Sequence, residues 1–340
     1  MACLLSPAQA PRHNRWQWTI EMTPQQRFAL IMERQAGFKW GDQYAPSIMA
    51  VPSEAPKTSR PSRLNSRLLG RTIHTLSRPE RVFTQLALYH PDLFDLHEQK
   101  MLWPISSSHP LFGHPLMHGV FPQPVRGTTD IAQEIGFQHF EIVVQGSDGQ
   151  RERMPFPYQG DLLLYLYGKN GPYALNWTVK DRKDAFGERR SGQSKTPTQQ
   201  KKDRTKAKLR ATLEEAYYAS AGIRTVQVSL DLLQPTLVQN LGLLFPMHGL
   251  PLRLEPSLLE DFSCTVKEAV DEGVPPALIA IQYADHWGAR DQFICQIYQD
   301  IWYRHLPVSL LDPILIDQPL QKNGPDVLAV YGSLFEEYSS

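Results

Sequence analysis

Three residues of this 340-residue chain have types and positions suited to phosphoester chemistry: Glu80, Asp161 and Lys180. Hydrolysis of a phosphodiester calls for a cation that polarises the phosphate and lowers the pKa of an attacking water. Mg²⁺ takes hard oxygen ligands, commonly one or two carboxylates with water filling the other positions. A lysine beside the phosphate stabilises the developing negative charge or helps to deprotonate the water. Glu80 ends the segment Ser77-Arg-Pro-Glu80, which has the form of a capping box, with Ser as N-cap, Pro in the first turn and Glu at the third helical position. Asp161 opens the run DLLLYLY and Lys180 follows the run YALNWTV, with the hairpin signal Gly168-Lys-Asn-Gly-Pro172 between them. The start of one hairpin strand lies opposite the end of the next, so Asp161 and Lys180 are expected at one end of a sheet. Glu80 would reach them from a helix packed on that sheet.

Each residue also has an ordinary reading. Glu80 fits a helix cap that reaches back to Ser77, worth about 1 kcal/mol. Asp161 fits a turn acid flanking a strand, and Lys180 the start of a solvated basic patch. Other candidates are weaker. His109, His114 and His118 lie in a Pro-rich stretch with no nearby Cys, which argues against zinc. Gly168-Lys-Asn-Gly171 lacks the length and the Lys-Ser/Thr of a phosphate-cradling loop. Trp103 and Trp177 read as core, and no Gly-x-Ser-x-Gly element is present.

The elements that must position the trio follow from periodicity. Residues 1–66 are rich in Pro, Ser and Arg, with one helix-like patch at 23–35, and read as an extension that wraps on the next domain or orders on DNA. The stripe Val82, Phe83, Leu86, Leu88 and Tyr89 predicts a short helix after Ser77, stopped before Pro91. Short extended pieces at 93–96 and 100–103, an irregular loop at 104–127 and a strand at 137–144 come next. A helix at 207–221 stopped by Gly222, a strand at 223–230 and a helix from about 238 complete residues 67–248 as a mixed α/β unit. Residues 249–340 read as helices at 257–270, 275–283 and 291–303, then the strand-like pieces VSLL and ILID, which suggests a winged-helix-like partner-binding domain.

Length predicts two domains, and 41% hydrophobic residues supply their cores. Cys3, Cys264 and Cys295 are too scattered for a disulfide framework or a CxxC metal site. No run approaches the apolar length of a membrane helix, and the start MACLLSPAQAPRHNR lacks the basic and apolar regions of a signal peptide. A cytoplasmic chain without membrane contact is expected. Net charge is zero, but it is segregated. Residues 182–210 hold eleven Lys or Arg against three acids, and residues 57–81 hold seven against Glu80 alone. After Leu250, fourteen acids face five bases. The pattern fits a polyanion-binding first part and an acidic final part, although a solvated basic loop would give the same run.

Asp161, the hairpin and Thr178-Val179-Lys180 together resemble the PD-(D/E)xK signature of the restriction-endonuclease-like fold. The preceding stretch is more specific. GFKWGDQYAPSIMAV, SRPSRLNSRLLGRTIHTLSRPE and FDLHEQKMLWP, within residues 37–103, resemble the N-terminal part of TnsA, the nuclease subunit of heteromeric cut-and-paste transposases. GRTIHTLSRPE carries the resemblance best, with His-Glu-Gln at 97–99 in support. LEEAYYASAGIRTVQV at 213–228 is similar to a later helix and strand of that family. The likeness spans residues 37–245 with interruptions and is faint over the last hundred.

The resemblance implies a restriction-endonuclease-like mixed sheet with flanking helices. Glu80 and Asp161 match the family's metal-binding acids, and Lys180 its catalytic lysine. Where the family has Gln or an acid two residues before the lysine, this chain has Thr178, which removes a third side-chain ligand and leaves the Val179 carbonyl. The loops at 102–161 and 182–210 are longer than in the family. The implied activity is Mg²⁺-dependent (Mn²⁺ as substitute) cutting of the 5′ strand at transposon ends, beside a DDE transposase (TnsB-like) that handles the 3′ ends and an AAA+ ATPase (TnsC-like). Arg67, Arg71, Lys201, Lys202, Arg204 and Lys206 would then contact double-stranded DNA through its phosphates. The rival readings are a catalytically weak nuclease-fold scaffold and a stand-alone restriction or repair nuclease.

Overall fold

Strands that read as unbroken apolar runs are those covered on both faces, and the chain's longest such run forms the middle of the sheet. A computed structural model describes residues 22–145, 149–186 and 196–337. The first 21 residues of the expected extension, and 187–195 of the basic segment, lie outside them. In chain order the elements are α1 (Pro24–Gln35), β1 (Ser62–Ser66), β2 (Arg71–Thr75), α2 (Arg78–Tyr89), β3 (Leu93–Glu98), β4 (Met101–Leu102), α3 (Thr128–Glu134), β5 (Glu141–Gln145) and β6 (Arg151–Pro155). They continue with β7 (Tyr158–Gln159), β8 (Leu162–Gly168), β9 (Gly171–Lys180), α4 (Pro197–Ala219), β10 (Arg224–Ser229), α5 (Pro235–His248), α6 (Pro256–Asp271), α7 (Pro276–Trp287), α8 (Arg290–Trp302) and α9 (Val327–Val330).

The main sheet has the order β10-β9-β8-β3, with β10 parallel to β9 and the other pairs antiparallel. The protein is therefore mixed α/β with a mixed sheet. The β8–β9 hairpin closes on Gly168↔Gly171 and sets Leu162 opposite Trp177. Alternation divides its side chains between two cores. Leu162, Leu164, Leu166, Leu175, Trp177 and Val179 face α2, α5 and the C-terminal helices, while Leu163, Tyr165 and Ala174 face Leu213, Tyr217 and Tyr218 of α4. Phe83 of α2 meets Trp177 edge-on at 5.6 Å, which docks the helix that carries Glu80. Burying two such rings contributes several kcal/mol.

The packing runs across both expected domain boundaries. β1 ends at Ser66 and pairs with β2 beyond it. Residues 35–45 lie along β3, where Tyr44 stacks on His97 at 3.8 Å and donates its hydroxyl to the Glu98 carbonyl. At the other boundary, Asn240 of α5 donates to the carbonyls of Leu310 and Asp312, and Trp177 Nε1 donates to the Leu334 carbonyl. One continuous apolar cluster extends from Leu64 to Phe335.

Two expectations are corrected. The winged-helix reading required a terminal hairpin, but no strand occurs among the described residues after Ser229. VSLL and ILID supply Leu310 and Ile314 as buried pegs in irregular chain, interrupted by Pro307, Pro313 and Pro319, which cannot donate to a ladder. The basic linker is also half helical: α4 starts at Pro197 behind the N-cap Thr196 and its reciprocal partner Gln199. Apolar periodicity missed this because lysines fill the protruding first turns. α4 stops where expected, with Gly222 at φ +74°, a left-handed turn that suits glycine. Among the described residues no helix is long and apolar enough to cross a membrane.

Candidate functional site

Glu80 owes its position to a helix cap. Ser77 Oγ accepts the Glu80 N–H at 3.3 Å, and its hydroxyl donates back to Glu80 Oε1 at 2.8 Å. Oε2 accepts from the Leu76 N–H at 2.8 Å, one residue further back than a standard capping box, and from Gln99 Nε2 at 3.1 Å. The cap and ligand readings thus describe one carboxylate: three donors hold it in place, and Oε1 keeps a lone pair free.

Asp161 stands just ahead of β8. Its Oδ2 accepts the Val179 N–H at 2.7 Å, which ties it across the hairpin. A residue's N–H and C=O point to the same edge of a strand, so the Val179 carbonyl also faces the Asp161 side. Lys180 is the last residue of β9, registered against Ser229 of β10. Burial pushes the Glu80 carboxyl up to about 7, the Asp161 charge pushes the same way, and Lys180 opposes them. The structure therefore brings Glu80, Asp161 and Lys180 to one end of the sheet.

Gln99 completes this centre. It follows β3 at φ +49°, a left-handed conformation uncommon in non-glycine residues. Its side chain holds Glu80, its N–H donates to the Asp161 carbonyl at 3.0 Å, and its own carbonyl accepts from Ser47. The sequence marked it only as the end of the His-Glu-Gln triplet, without a role.

Thr178 Oγ1 donates to Glu214 Oε1 of α4 at 3.1 Å, and Asn176 Nδ2 reaches the same oxygen at 3.1 Å. Arg210 pairs with the other Glu214 oxygen at 3.1 Å. The strand position that lacks an acid is thus linked to a carboxylate from a neighbouring helix, whose oxygens are already engaged. Among the described residues no group of three or more His, Cys, Asp or Glu is placed to hold a metal ion. Burial and the Asp161 charge hold a proton on Glu80 up to about pH 7, and a cation between the two acids would take that proton's place, so the pair fits Mg²⁺, which commonly takes one or two carboxylates from protein.

The expected DNA contacts separate. Arg71 must be withdrawn, because its guanidinium is bidentate to Glu98 at 2.8 Å and also donates to the Leu96 carbonyl, with 6% of the side chain exposed. Its fork satisfies a buried acid on β3 and is not presented to a phosphate. Arg67 is exposed at the β1–β2 turn. Lys201, Lys202, Arg204 and Lys206 are exposed on the first half of α4, and the three lysines line a groove with Phe137. His109 and His114 accept the Leu111 and Leu116 N–H groups through Nδ1, which makes them turn caps. No protein-family model matches the chain, and no curated protein matches it in sequence.

Proposed function

We propose that this chain is a metal-dependent DNA endonuclease of restriction-endonuclease-like fold, the TnsA-like subunit of a cut-and-paste transposase. One observation carries the reading: a helix-borne carboxylate and a strand-start carboxylate are forced into like-charge proximity beside the lysine that ends the next strand. Glu80 Oε1, Asp161 Oδ1 and the Val179 carbonyl would hold Mg²⁺ or Mn²⁺, which when bound polarises the scissile phosphate and acidifies a water. Gln99 and Ser77 orient the Glu80 carboxylate, and the Val179 N–H orients that of Asp161. Lys180 contributes positive charge where the phosphate becomes more negative. Arg67 and the α4 cations would bind backbone phosphates without reading sequence.

The acidic C-terminal region, with Leu278, Ile281 and Trp287 exposed on α7, suits contact with the TnsB-like or TnsC-like partner. The test is a reconstituted reaction containing the DDE transposase, the ATPase and end-labelled transposon DNA. Asp161→Ala should abolish 5′-strand cutting and leave 3′-strand cutting in place; undiminished 5′ cutting would falsify the assignment. The engagement of Thr178 by Glu214 favours a second reading, a nuclease-fold scaffold that binds DNA and partners without cutting. That reading predicts 5′ ends left intact by the wild-type chain as well.

A further inference from the structure

Gln99 and Lys100 are consecutive, but their side chains serve different parts of the molecule. Gln99 holds Glu80, whereas Lys100 lines a cavity of about 270 Å³ between the segment after α1, the β3–β4 connection, the loop around 107–110 and α4. The charged residues lining this cavity are Lys39 and Lys100, and no Asp or Glu lines it. Lys39 gives two hydrogen bonds to the Glu33 and Arg34 carbonyls and has a third donor left. Among the described residues the Lys100 ammonium finds neither a hydrogen-bond acceptor nor an ion-pair partner, and it lies 5.3 Å from the Tyr44 ring centroid. Burial draws that ammonium down to about 8, and the nearby Asp95 carboxylate already accepts the N–H groups of Gly41 and Leu96. Trp40 Nε1 and Tyr218 Oη, on two other residues of the lining, are buried without a hydrogen-bond partner. An indole N–H is a donor only. A cavity with two cations, a vacant donor and no acid in its lining suits negative charge, and the half-buried Lys100 ammonium, partly stripped of water, has only the more distant Asp95 charge to answer it. Lysine serves phosphate as a point charge, and no arginine fork suited to a planar carboxylate lines the cavity.

We propose that this cavity binds a small phosphate-bearing anion on the Lys100 ammonium, with Lys39 and the Trp40 indole N–H as further donors. The proposal is independent of the nuclease reading, since the Glu80 and Asp161 carboxylates do not line the cavity. Two sources share the chemistry, free inorganic phosphate and the terminal 5′-phosphate of a DNA strand.

The test is calorimetric titration of the full chain with inorganic phosphate in metal-free buffer at constant ionic strength. Saturable binding is expected, weakened at least about ten-fold by Lys100→Met and largely kept by Lys100→Arg. Absence of binding, or equal affinity in Lys100→Met, overturns the site. A measurement on the unaltered chain removes dependence on variant folding: phosphate should slow acetylation of Lys100, read by peptide mass spectrometry, relative to exposed Lys201. Equal acetylation rates with and without phosphate overturn it as well. Displacement of phosphate by a 5′-phosphorylated oligonucleotide but not by its 5′-hydroxyl twin supports the site with a DNA end as source. Displacement by neither supports it with the free anion as source.

Discussion

Two buried glutamates, Glu80 and Glu98, sit in opposite electrostatic settings. Glu98 is fully enclosed and answered by the bidentate Arg71, with the His74 N–H on the same carboxylate. Glu80 is nearly as buried, but its charged neighbour of greatest influence is another acid. The acid answered by a guanidinium joins β2 to β3; the acid pressed by a second acid, with Lys180 only partly opposing, is where the proposed cation would sit. Burial of charge alone does not single out a candidate site; the sign of the neighbour is the stronger pointer.

Asp161→Ala should separate the two glutamates most strongly. If Asp161 holds the proposed metal, this change should lower metal-dependent cleavage at least about a thousand-fold, since such an ion contributes several kcal/mol to the transition state. Folding should be retained, because a like charge has been taken away from Glu80; activity near wild type would return both glutamates to the structural class. Arg71→Met acts on the other member of the contrast. It strands Glu98 in the core and should destabilise the protein by about 3–5 kcal/mol in urea unfolding. A loss below about 1 kcal/mol would show the pair to be dispensable.

Gln99→Asn comes next in size. Asparagine tolerates the left-handed backbone but is too short to reach Glu80, so cleavage should fall by about 10- to 100-fold with stability little changed.

The pH dependence separates the two glutamates further. Glu80 titrates at about 7 in the folded chain against an ordinary value of 4.5, so the folded state holds its proton through that window. Its contribution to metal-free stability is fully present below about pH 4.5 and is lost as pH rises through 7. Glu80→Gln should remove this decline, and Mg²⁺ should reverse it; parallel melting curves for wild type and Glu80→Gln across that window would contradict the coupling. DNA affinity should respond least. Replacing Lys201, Lys202, Arg204 and Lys206 with Ala should flatten the dependence of log K on log salt by about 0.9 for each phosphate no longer neutralised, and an unchanged slope excludes α4 from the interface.

Legibility in the sequence followed the range of the signal. The cap of α2 is a four-residue pattern, and the β8–β9 hairpin is two apolar runs around a two-glycine turn, so the backbone placement of Glu80, Asp161 and Lys180 could be read directly. Long-range partners were not readable that way. Arg71 looks like any surface base until β3 lies against it and delivers Glu98. The lysine-rich half of α4 carries no apolar stripe, and α3 is two turns long, so neither stood out by periodicity. The VSLL and ILID pieces have strand-like composition, and packing against α5 rather than pairing decided their form.

Which local elements carry the candidate residues Glu80, Asp161 and Lys180 was written in the amino-acid order, because caps, turns and alternation act over a few residues. Which charges are answered was left to tertiary packing. Glu98 met a guanidinium, Glu80 met a carboxylate with Gln99 holding it, Thr178 met Glu214, and Lys100 was left facing a cavity without an acid. The physical reason is that a buried group's electrostatic state depends on neighbours distant in the chain, and only the fold brings them within reach.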